Sequence, residues 1–330
     1  MGRTIADRRL VLSAYAKGAG HIASRSAVIM DTRRLADGNK EAEMSKQAKK
    51  RWVLVTGASG GIGRAICHTL DHAGFGVIAA ARQAGPHSDA APSIAMLPLD
   101  LTREAEVQAA PNRVDEITGG ELFALVNNAG IATPGAFELS TMDDVRRQIE
   151  TNIYGTLHVT QAFLSRLRAS RGRLVVVTSV VGRVAMPFNA VHCGTKFFLE
   201  GMFSALRVEL QAAGVKTVII EPGTIRTAMI DKFSAGAERA LARVPKELDA
   251  LYGRPVRAMV ERMQQHIQEG SPPEVVADAV LRAITVPAPR SRYAVGRHAR
   301  RMTTLAKWLP DRAKDRLVGR MLNLDVTRRA

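Results

Sequence analysis

The sequence has little cysteine, and its two cysteines, Cys67 and Cys193, fall in segments of helical spacing that lack the spacing of metal ligands. This excludes a disulfide framework and gives no indication of a metal site. No run of apolar residues approaches the roughly 18 that a helix needs to cross a bilayer. We therefore expect a cytoplasmic protein without a membrane-spanning segment, with peripheral membrane contact as a further possibility.

Acidic residues are also scarce, but only at the two ends of the chain, which together carry most of the net charge of +16. Residues 1–50 contain 11 Lys and Arg against 5 Asp and Glu, and residues 290–330 contain 12 against 3. No nucleic-acid-reading motif accompanies either end, which argues against nucleic-acid binding. Attraction to anionic lipid head groups is the better alternative.

The charge and hydropathy pattern divides the chain into three parts. We expect residues 1–50 to be a basic, disordered extension, with a transit peptide over 1–30 or a start at Met44 as alternatives. Residues 51–289 are expected to form one domain. Residues 290–330 form a basic tail, in which apolar positions on both sides of Pro310 fit two short amphipathic helices. We expect these helices to pack on the domain, the alternatives being a cap over a ligand site or contact with a membrane.

Strand-like and helix-like segments alternate from residue 51 onward. An apolar run at 53–55 ends at Thr56-Gly57 and is followed by helical spacing over 62–73. Further strands are predicted at 77–80, 94–97, 122–127, 173–179 and 216–221. Helices are predicted at about 103–117, 143–169, 192–212 and 273–285, with more than one helix near 235–268. Because parallel strands need crossover connections, this alternation predicts an α/β fold. We expect a doubly wound parallel sheet of the Rossmann type, with helices on both faces and a C-terminal helical extension.

The turn after the first strand is rich in glycine. Residues 56–63 read Thr-Gly-Ala-Ser-Gly-Gly-Ile-Gly, with glycines at 57, 61 and 63 before the helix begins. Glycines let a ligand approach the backbone closely, and the N–H groups at a helix N-terminus favour a pyrophosphate. The alternative is a tight strand-to-helix connection without a ligand.

Several motifs together resemble the short-chain dehydrogenase/reductase family. They are the glycine turn at 56–63, Asn127-Asn128-Ala129-Gly130, Asn152 in TNIYG, Ser179, Lys196, and Pro222-Gly223 followed by Thr227. The resemblance is strong over about 51–230. It is weaker to about 325, where RYAVGRHAR and LPDRAKDRL are similar to the branch of retinol and hydroxysteroid dehydrogenases.

This resemblance implies a pyridine dinucleotide cofactor held by a defined set of residues. The second strand ends at Ala81-Arg82 without a carboxylate, which favours NADP(H) over NAD(H), because an arginine there accommodates a 2′-phosphate. Alternatively, Arg82 is a solvated loop residue. The resemblance implies that Asp100 contacts adenine; the alternative is that it caps the following helix, a role that Thr102 could also take. The implied cofactor-binding residues are Gly57, Ser59, Gly61, Ile62, Gly63, Arg82, Asp100, Asn128, Ala129, Gly130, Lys196, Pro222, Gly223 and Thr227.

The catalytic groups of the family are a serine, a tyrosine and a lysine, with a supporting asparagine. Ser179, Lys196 and Asn152 match three of them, but the position due for the tyrosine, thirteen residues after the serine, is His192. His192 and Lys196 are four residues apart and share a helix face. The lysine charge disfavours imidazolium, so we expect a neutral His192 with a shorter reach than a phenol.

We therefore expect an NADP(H)-dependent oxidoreductase that interconverts a lipophilic alcohol and its aldehyde or ketone. The alternative is a catalytically impaired NADP(H)-binding scaffold or sensor. Apolar residues near the site suggest a lipophilic substrate, although they also suit core packing. These residues are Val180, Val181, Val184, Met186, Pro187, Phe188, Met229, Ile230 and Phe233. The family resemblance also implies a homo-oligomer paired through helices within 103–169 and 192–212.

Overall fold

The computed structural model describes residues 50–83, 94–322 and 324, and the predicted N-terminal extension up to residue 49 lies outside them. Within the described residues seven strands form one sheet in the order β3-β2-β1-β4-β5-β6-β7, and every pairing is parallel. The order reverses between β1 and β4, and parallel sheets bind ligands at the carboxyl ends of strands beside such a switch point. The strands are Trp52–Thr56 (β1), Gly76–Ala81 (β2), Ile94–Pro98 (β3), Ala124–Asn127 (β4), Arg173–Val177 (β5), Lys216–Pro222 (β6) and Arg292–Val295 (β7).

Helices lie on both faces of the sheet and continue beyond it. They are Gly61–His72 (α1), Glu104–Thr118 (α2), Met142–Ile149 (α3), Gly155–Ser170 (α4), Ala190–Glu209 (α5), Met229–Leu241 (α6), Arg254–Gln268 (α7), Glu274–Thr285 (α8), Ala299–Trp308 (α9) and Asp311–Met321 (α10). The expected doubly wound α/β fold is therefore confirmed.

Side-chain alternation along the strands divides the core into two layers. Val53 and Val55 point into a buried cluster with α1 and α8, whereas Leu54 points into a second cluster with α2, α4 and α5. All three side chains are fully buried. Burial on both faces explains the continuous apolar runs of these strands.

A third apolar cluster joins the C-terminal tail to the main domain. Val318 and Leu322 of the tail pack with Val184, Phe233 and Met259. The two tail helices predicted on either side of Pro310 are present, and one side of them packs on the domain as expected. Among the described residues, no helix is both long and apolar enough to cross a membrane.

Two elements differ from the prediction. The helix predicted at 143–169 is interrupted by a π-helical turn, Glu150–Tyr154, whereas the helices predicted near 235–268 are present as α6 and α7. Strand β7 was not predicted, because its short RYAV segment follows a proline-rich stretch and lacks a long apolar run. It extends the sheet beyond β6.

Candidate active site

The glycine turn packs against the end of β4, and the N-terminus of α1 that follows it has no side-chain cap. Gly57 has a φ of +66°, and a Cβ there would lie 2.7 Å from the Cα of Ala129. A Cβ at Gly63 would lie 2.2 Å from the carbonyl oxygen of Gly57. No side chain caps α1 at Gly60, and its first turn contains no acidic residue. An uncapped N-terminus beside a close-packed backbone turn suits an anionic ligand.

Asn128 is tied to this turn through its side chain. Its amide Nδ2 donates to the Thr56 carbonyl oxygen at 3.0 Å, and its backbone N–H donates to the Thr56 hydroxyl at 3.0 Å. The backbone N–H of Ala129 donates to the same hydroxyl at 3.2 Å. Asn128 thus fixes the turn, while Ser59 is exposed and Ile62 packs against the core.

Arg82 and Asp100 lie near each other beyond the ends of β2 and β3. Arg82 is exposed, and its charge acts on the Asp100 carboxyl. Burial of that carboxyl raises its pKa, but hydrogen bonds from Thr102 and the charges of Arg82 and Arg103 outweigh burial, so the net pKa lies below its usual value. Asp100 binds Thr102 and does not cap α2, which has Arg103 at its N-cap position. The two candidate cofactor-binding residues, Arg82 and Asp100, therefore lie at the same corner of the sheet, beyond the ends of β2 and β3.

Asn152 is fully buried in the π-helical turn between α3 and α4, and it holds the loop after β4. Its Nδ2 donates to the carbonyl oxygen of Ile131 at 2.9 Å, and its Oδ1 accepts from the N–H of Ile131 at 2.8 Å. Nδ2 also donates to the Thr195 hydroxyl on α5 at 3.1 Å. The π turn interrupts the helix at the residue that links this loop to α5, a frequent feature of functional sites.

His192 lies on the first turn of α5, partly buried, and contacts the same loop. Its Nδ1 lies 3.0 Å from the carbonyl oxygen of Ile131. Burial and the charge of Lys196 lower the pKa of His192 to about 4, although the hydrogen bond with Ile131 opposes them. The imidazole is therefore neutral at pH 7, as expected from its spacing to the lysine.

Lys196 is buried one helical turn further along α5. Its Nζ donates to the Val177 carbonyl oxygen at 3.1 Å, at the end of β5. A Cβ on Gly130 would lie 3.6 Å from this Nζ and 3.4 Å from the Oδ1 of Asn152. Burial lowers the pKa of Lys196 to about 8, with the Glu200 charge opposing the change, so the side chain remains mostly cationic at pH 7.

Ser179 follows β5 in extended backbone and is partly buried. Its hydroxyl accepts from the N–H of Val181 at 3.3 Å and lies 3.5 Å from the carbonyl oxygen of Pro222. Ser179 is thereby positioned between the carboxyl ends of β5 and β6. At the same edge, a Cβ on Gly61 would lie 2.9 Å from the Thr227 methyl group, so the segment after β6 reaches the glycine turn.

Gly223 is held by the segment that follows β7. Its N–H donates to the Val295 carbonyl oxygen at 2.8 Å, and a Cβ on it would lie 2.2 Å from the carbonyl oxygen of Arg297. Only a glycine fits this contact. The side chains of Met229 and Ile230 in the adjacent α6 lie outside the described ones.

The sequence prediction missed a charged cluster behind the lysine. Glu200 and Glu221 are both buried, and both accept hydrogen bonds from Arg292 of β7. Glu200 also accepts from the Thr178 hydroxyl at 2.5 Å. The only sequence signal is the spacing of Glu200 from Lys196, since Arg292 comes from the strand that was not predicted. Within the described residues no group of His, Cys, Asp and Glu side chains has the arrangement of a metal site.

Comparison with known families and curated proteins gives consistent results. A family model described as short chain dehydrogenase matches residues 51–238. Retinol dehydrogenase 5 of Mus musculus is 33% identical over 82% of this chain and 88% of its own length. The human 17-beta-hydroxysteroid dehydrogenase type 6 is 31% identical over 85% of this chain and 92% of its own.

Solved structures agree with the sequence relatives. A short-chain dehydrogenase from Streptomyces avermitilis is 27% identical, with a TM-score of 0.65 over 82% of this chain and 96% of that one. A short chain dehydrogenase from Burkholderia cenocepacia, crystallised with NADP, is 25% identical, with a TM-score of 0.62 over 83% of this chain and 98% of that one.

Proposed function

The chain belongs to the short-chain dehydrogenase family and is an oxidoreductase, and we propose that it interconverts a lipophilic alcohol and its aldehyde or ketone with NADP(H) as the favoured cofactor. The observation that carries this proposal is the meeting of Gly130, Asn152 and Lys196 at the carboxyl edge of the sheet. A buried ammonium beside an open loop there suits a polar ligand that brings its own hydroxyl or phosphate groups.

The proposed cofactor site runs along this edge. Gly57, Ser59, Gly61, Ile62 and Gly63 would hold the pyrophosphate with backbone N–H groups, because α1 begins there uncapped. When bound, the nicotinamide supplies or accepts the hydride. The remaining proposed contacts are Arg82 and Asp100 at the adenosine end, Asn128, Ala129 and Gly130 along the middle, and Lys196, Pro222, Gly223 and Thr227 at the nicotinamide end.

The preference for NADP(H) rests on the exposed guanidinium of Arg82, which follows Ala81 where an acidic residue would favour NAD(H). Replacing Arg82 by Asp is expected to weaken NADP⁺ binding about 10- to 100-fold, since a charge-assisted hydrogen bond contributes about 1.5–3 kcal/mol. Titration calorimetry with NADP⁺ and NAD⁺ measures the change.

Arg168→Asp is the matched control for this experiment, because Arg168 is also exposed and lies near the end of α4. It makes the same change in charge and is expected to leave both affinities unchanged. Tighter binding of NAD⁺ than NADP⁺ by the wild type, together with no effect of Arg82→Asp, would contradict the preference.

Four residues are assigned to the chemical step. We propose that the Ser179 hydroxyl donates to the substrate oxygen and that His192 carries the proton. Lys196 would bind the nicotinamide ribose and keep a positive charge at the site. Asn152 holds the Ile131 loop against α5. Together these groups polarise, orient and exchange a proton with the substrate oxygen.

Turnover tests this assignment against the alternative of an impaired scaffold or sensor. In an NADPH oxidation assay with aldehydes, quinones and ketones, Ser179→Ala is expected to lower kcat/KM about 100-fold, because a donor to the developing oxyanion is lost. Ser165→Ala, an exposed serine on α4, is the matched control. Activity that appears only in His192→Tyr would instead support the scaffold.

The substrate is proposed to be lipophilic for two reasons. The relatives are named for retinol and 17-beta-hydroxysteroid, which are lipophilic alcohols. In addition, the segment after Ser179 contributes Val184, Met186 and Phe188 to an apolar cluster that also contains Phe233 and tail residues. This cluster would form one wall of the pocket. Replacing its large side chains by alanine is expected to raise KM for the larger substrates.

Two surfaces suggest partners beyond the substrate. Tyr154, Phe197 and Phe198 are each more than 40% exposed near and along α5, and we propose that they lie in a homo-oligomer interface, which sedimentation velocity would measure.

In the tail, Arg301, Leu305 and Trp308 share one face of α9, and Trp308 is 73% exposed. We propose that this face touches anionic membrane, which flotation with phosphatidylserine vesicles would detect.

A further inference from the structure

The hydrogen bonds around Ile131 define which ring nitrogen of His192 carries the hydrogen. A carbonyl oxygen only accepts, so Nδ1, at 3.0 Å from the Ile131 oxygen, must be the N–H donor. Nε2, the ring nitrogen farther from the backbone, is then the unprotonated one in the neutral imidazole. The hydrogen bond thus selects one tautomer.

Asn152 fixes the carbonyl that makes this selection. Its amide binds both the N–H and the carbonyl oxygen of Ile131, and the second hydrogen of Nδ2 goes to Thr195. Because an amide oxygen cannot donate to a carbonyl, the orientation of the Asn152 side chain follows from these contacts. The two lone pairs of the Ile131 oxygen are taken by Asn152 Nδ2 and His192 Nδ1. The tautomer is therefore built into the packing of the loop against α5.

We propose that His192 is a general base of fixed tautomer, whose Nε2 accepts the hydroxyl proton of a lipophilic alcohol. This inference rests on the proposed function and deepens it by naming the alcohol as the substrate on which the resting site acts at neutral pH. The O–H bond would break with its proton going to Nε2, and the oxidised pyridine dinucleotide, when bound, would take up the hydrogen of the carbon–hydrogen bond together with both electrons of that bond. The C=O bond forms, and the imidazolium releases its proton to solvent.

The electrostatics of the pocket support the same proton state. On α5, the Lys196 ammonium acts on the ring, and Glu200 acts in turn on Lys196. The facing loop and π turn contribute the uncharged Ile131 carbonyl and Asn152 amide, with the Thr195 hydroxyl beside them. With a pKa of about 4, His192 is neutral at pH 7, so the base is ready without deprotonation. Reduction of a carbonyl would first need the rare imidazolium.

A nuclear magnetic resonance experiment tests the tautomer without any turnover. The full chain, labelled with ¹⁵N-histidine, is compared with His192→Gln so that the His192 signals are identified by their disappearance. At pH 7 we expect Nδ1 to have the shift of a protonated nitrogen and Nε2 that of an unprotonated one. A protonated Nε2, as the other tautomer or as imidazolium, would overturn the proposal.

The pH profiles of the wild type test the role in catalysis and need no variant. The equilibrium constant fixes the ratio of the kcat/KM values for oxidation and reduction at each pH. The two profiles are each measured over the whole pH range. We expect kcat/KM for alcohol oxidation to be flat from about pH 6 to about pH 7.5, where Lys196 with its pKa of about 8 stays mostly cationic, and kcat/KM for carbonyl reduction to fall about tenfold per pH unit over the same range. Oxidation that rises tenfold per unit between about pH 6 and 8 would overturn His192 as the base.

Two further outcomes separate this inference from the proposed function. His192→Tyr is expected to make oxidation rise with pH, because a phenol must lose its proton before it can act as a base. Calorimetry with NADP⁺ is expected to give equal affinities for the wild type and His192→Gln. Absence of dinucleotide binding would overturn the proposed function and with it the base role, whereas normal binding with the wrong tautomer overturns the base role alone.

Discussion

Replacement of Lys196 by Met is expected to lower kcat/KM by at least about 1,000-fold and, at the same time, to stabilise the protein without cofactor at pH 7. The loss of activity follows from the proposed roles of the ammonium in holding the ribose and in placing positive charge beside the reacting oxygen. The gain in stability follows from burial. Lys196 is 6% exposed, and burial lowers its pKa from 10.5 to about 8.

The sign of the stability change comes from proton linkage. Between about pH 8 and 10.5 the unfolded chain binds more protons at this position than the folded one, so stability rises with pH through that window. Because pH 7 lies below this window, the folded protein there lacks the stability gained across it, which amounts to about 3 kcal/mol of unfolding free energy for a pKa shift of this size. Loss of the hydrogen bond to Val177 offsets about 1 kcal/mol of the gain. We therefore expect Lys196→Met to be more stable by about 1–2 kcal/mol.

Urea unfolding of the wild type and Lys196→Met at pH 7 measures this difference. Lys246→Met is the matched control, because Lys246 is exposed in the segment after α6 and its replacement is expected to change neither stability nor activity. A destabilised Lys196→Met with an unchanged transition slope would show that the lysine has a structural role that outweighs its desolvation.

The sequence predicts the fold well because its signals are local. The β-branched runs, the glycine turn and the helical spacing each occur within a few residues, and together they require a parallel sheet covered on both faces. Strand β7 is the exception. Its four residues are only partly buried, and what holds it is the pairing to β6 and the bonds from Arg292 to two distant glutamates. Such long-range contacts have no local sequence pattern.

The sequence predicts the residues of the candidate site that act through their side chains, but not those that act through backbone atoms. Residue type and spacing suffice to identify Asn152, Ser179, His192 and Lys196 as candidates. They do not show that the backbone carbonyl of Ile131 selects the tautomer of His192, because a main-chain oxygen is present at every residue. The π turn at Asn152 was missed for a related reason, since helical periodicity does not distinguish an inserted residue from a continuous helix.

Acid is expected to destabilise the protein through His192. The folded pKa of about 4 lies below the ordinary value of 6.5, so the unfolded chain binds more protons between these values. The contribution of the neutral imidazole is fully present above about pH 6.5 and is lost as the pH falls to about 4. For a shift of this size it amounts to about 3 kcal/mol of unfolding free energy.

The variant His192→Gln isolates this contribution, because glutamine does not titrate and its amide has a donor that can bind the Ile131 oxygen. Unfolding free energies are measured in urea at intervals between pH 7 and 4, and the wild type is expected to lose about 3 kcal/mol more than His192→Gln over this range. His72→Gln, on the exposed last turn of α1, is the matched control and should follow the wild type. Parallel curves for the wild type and His192→Gln would mean that the imidazole is protonated equally in both states, and burial beside Lys196 would then not hold it neutral.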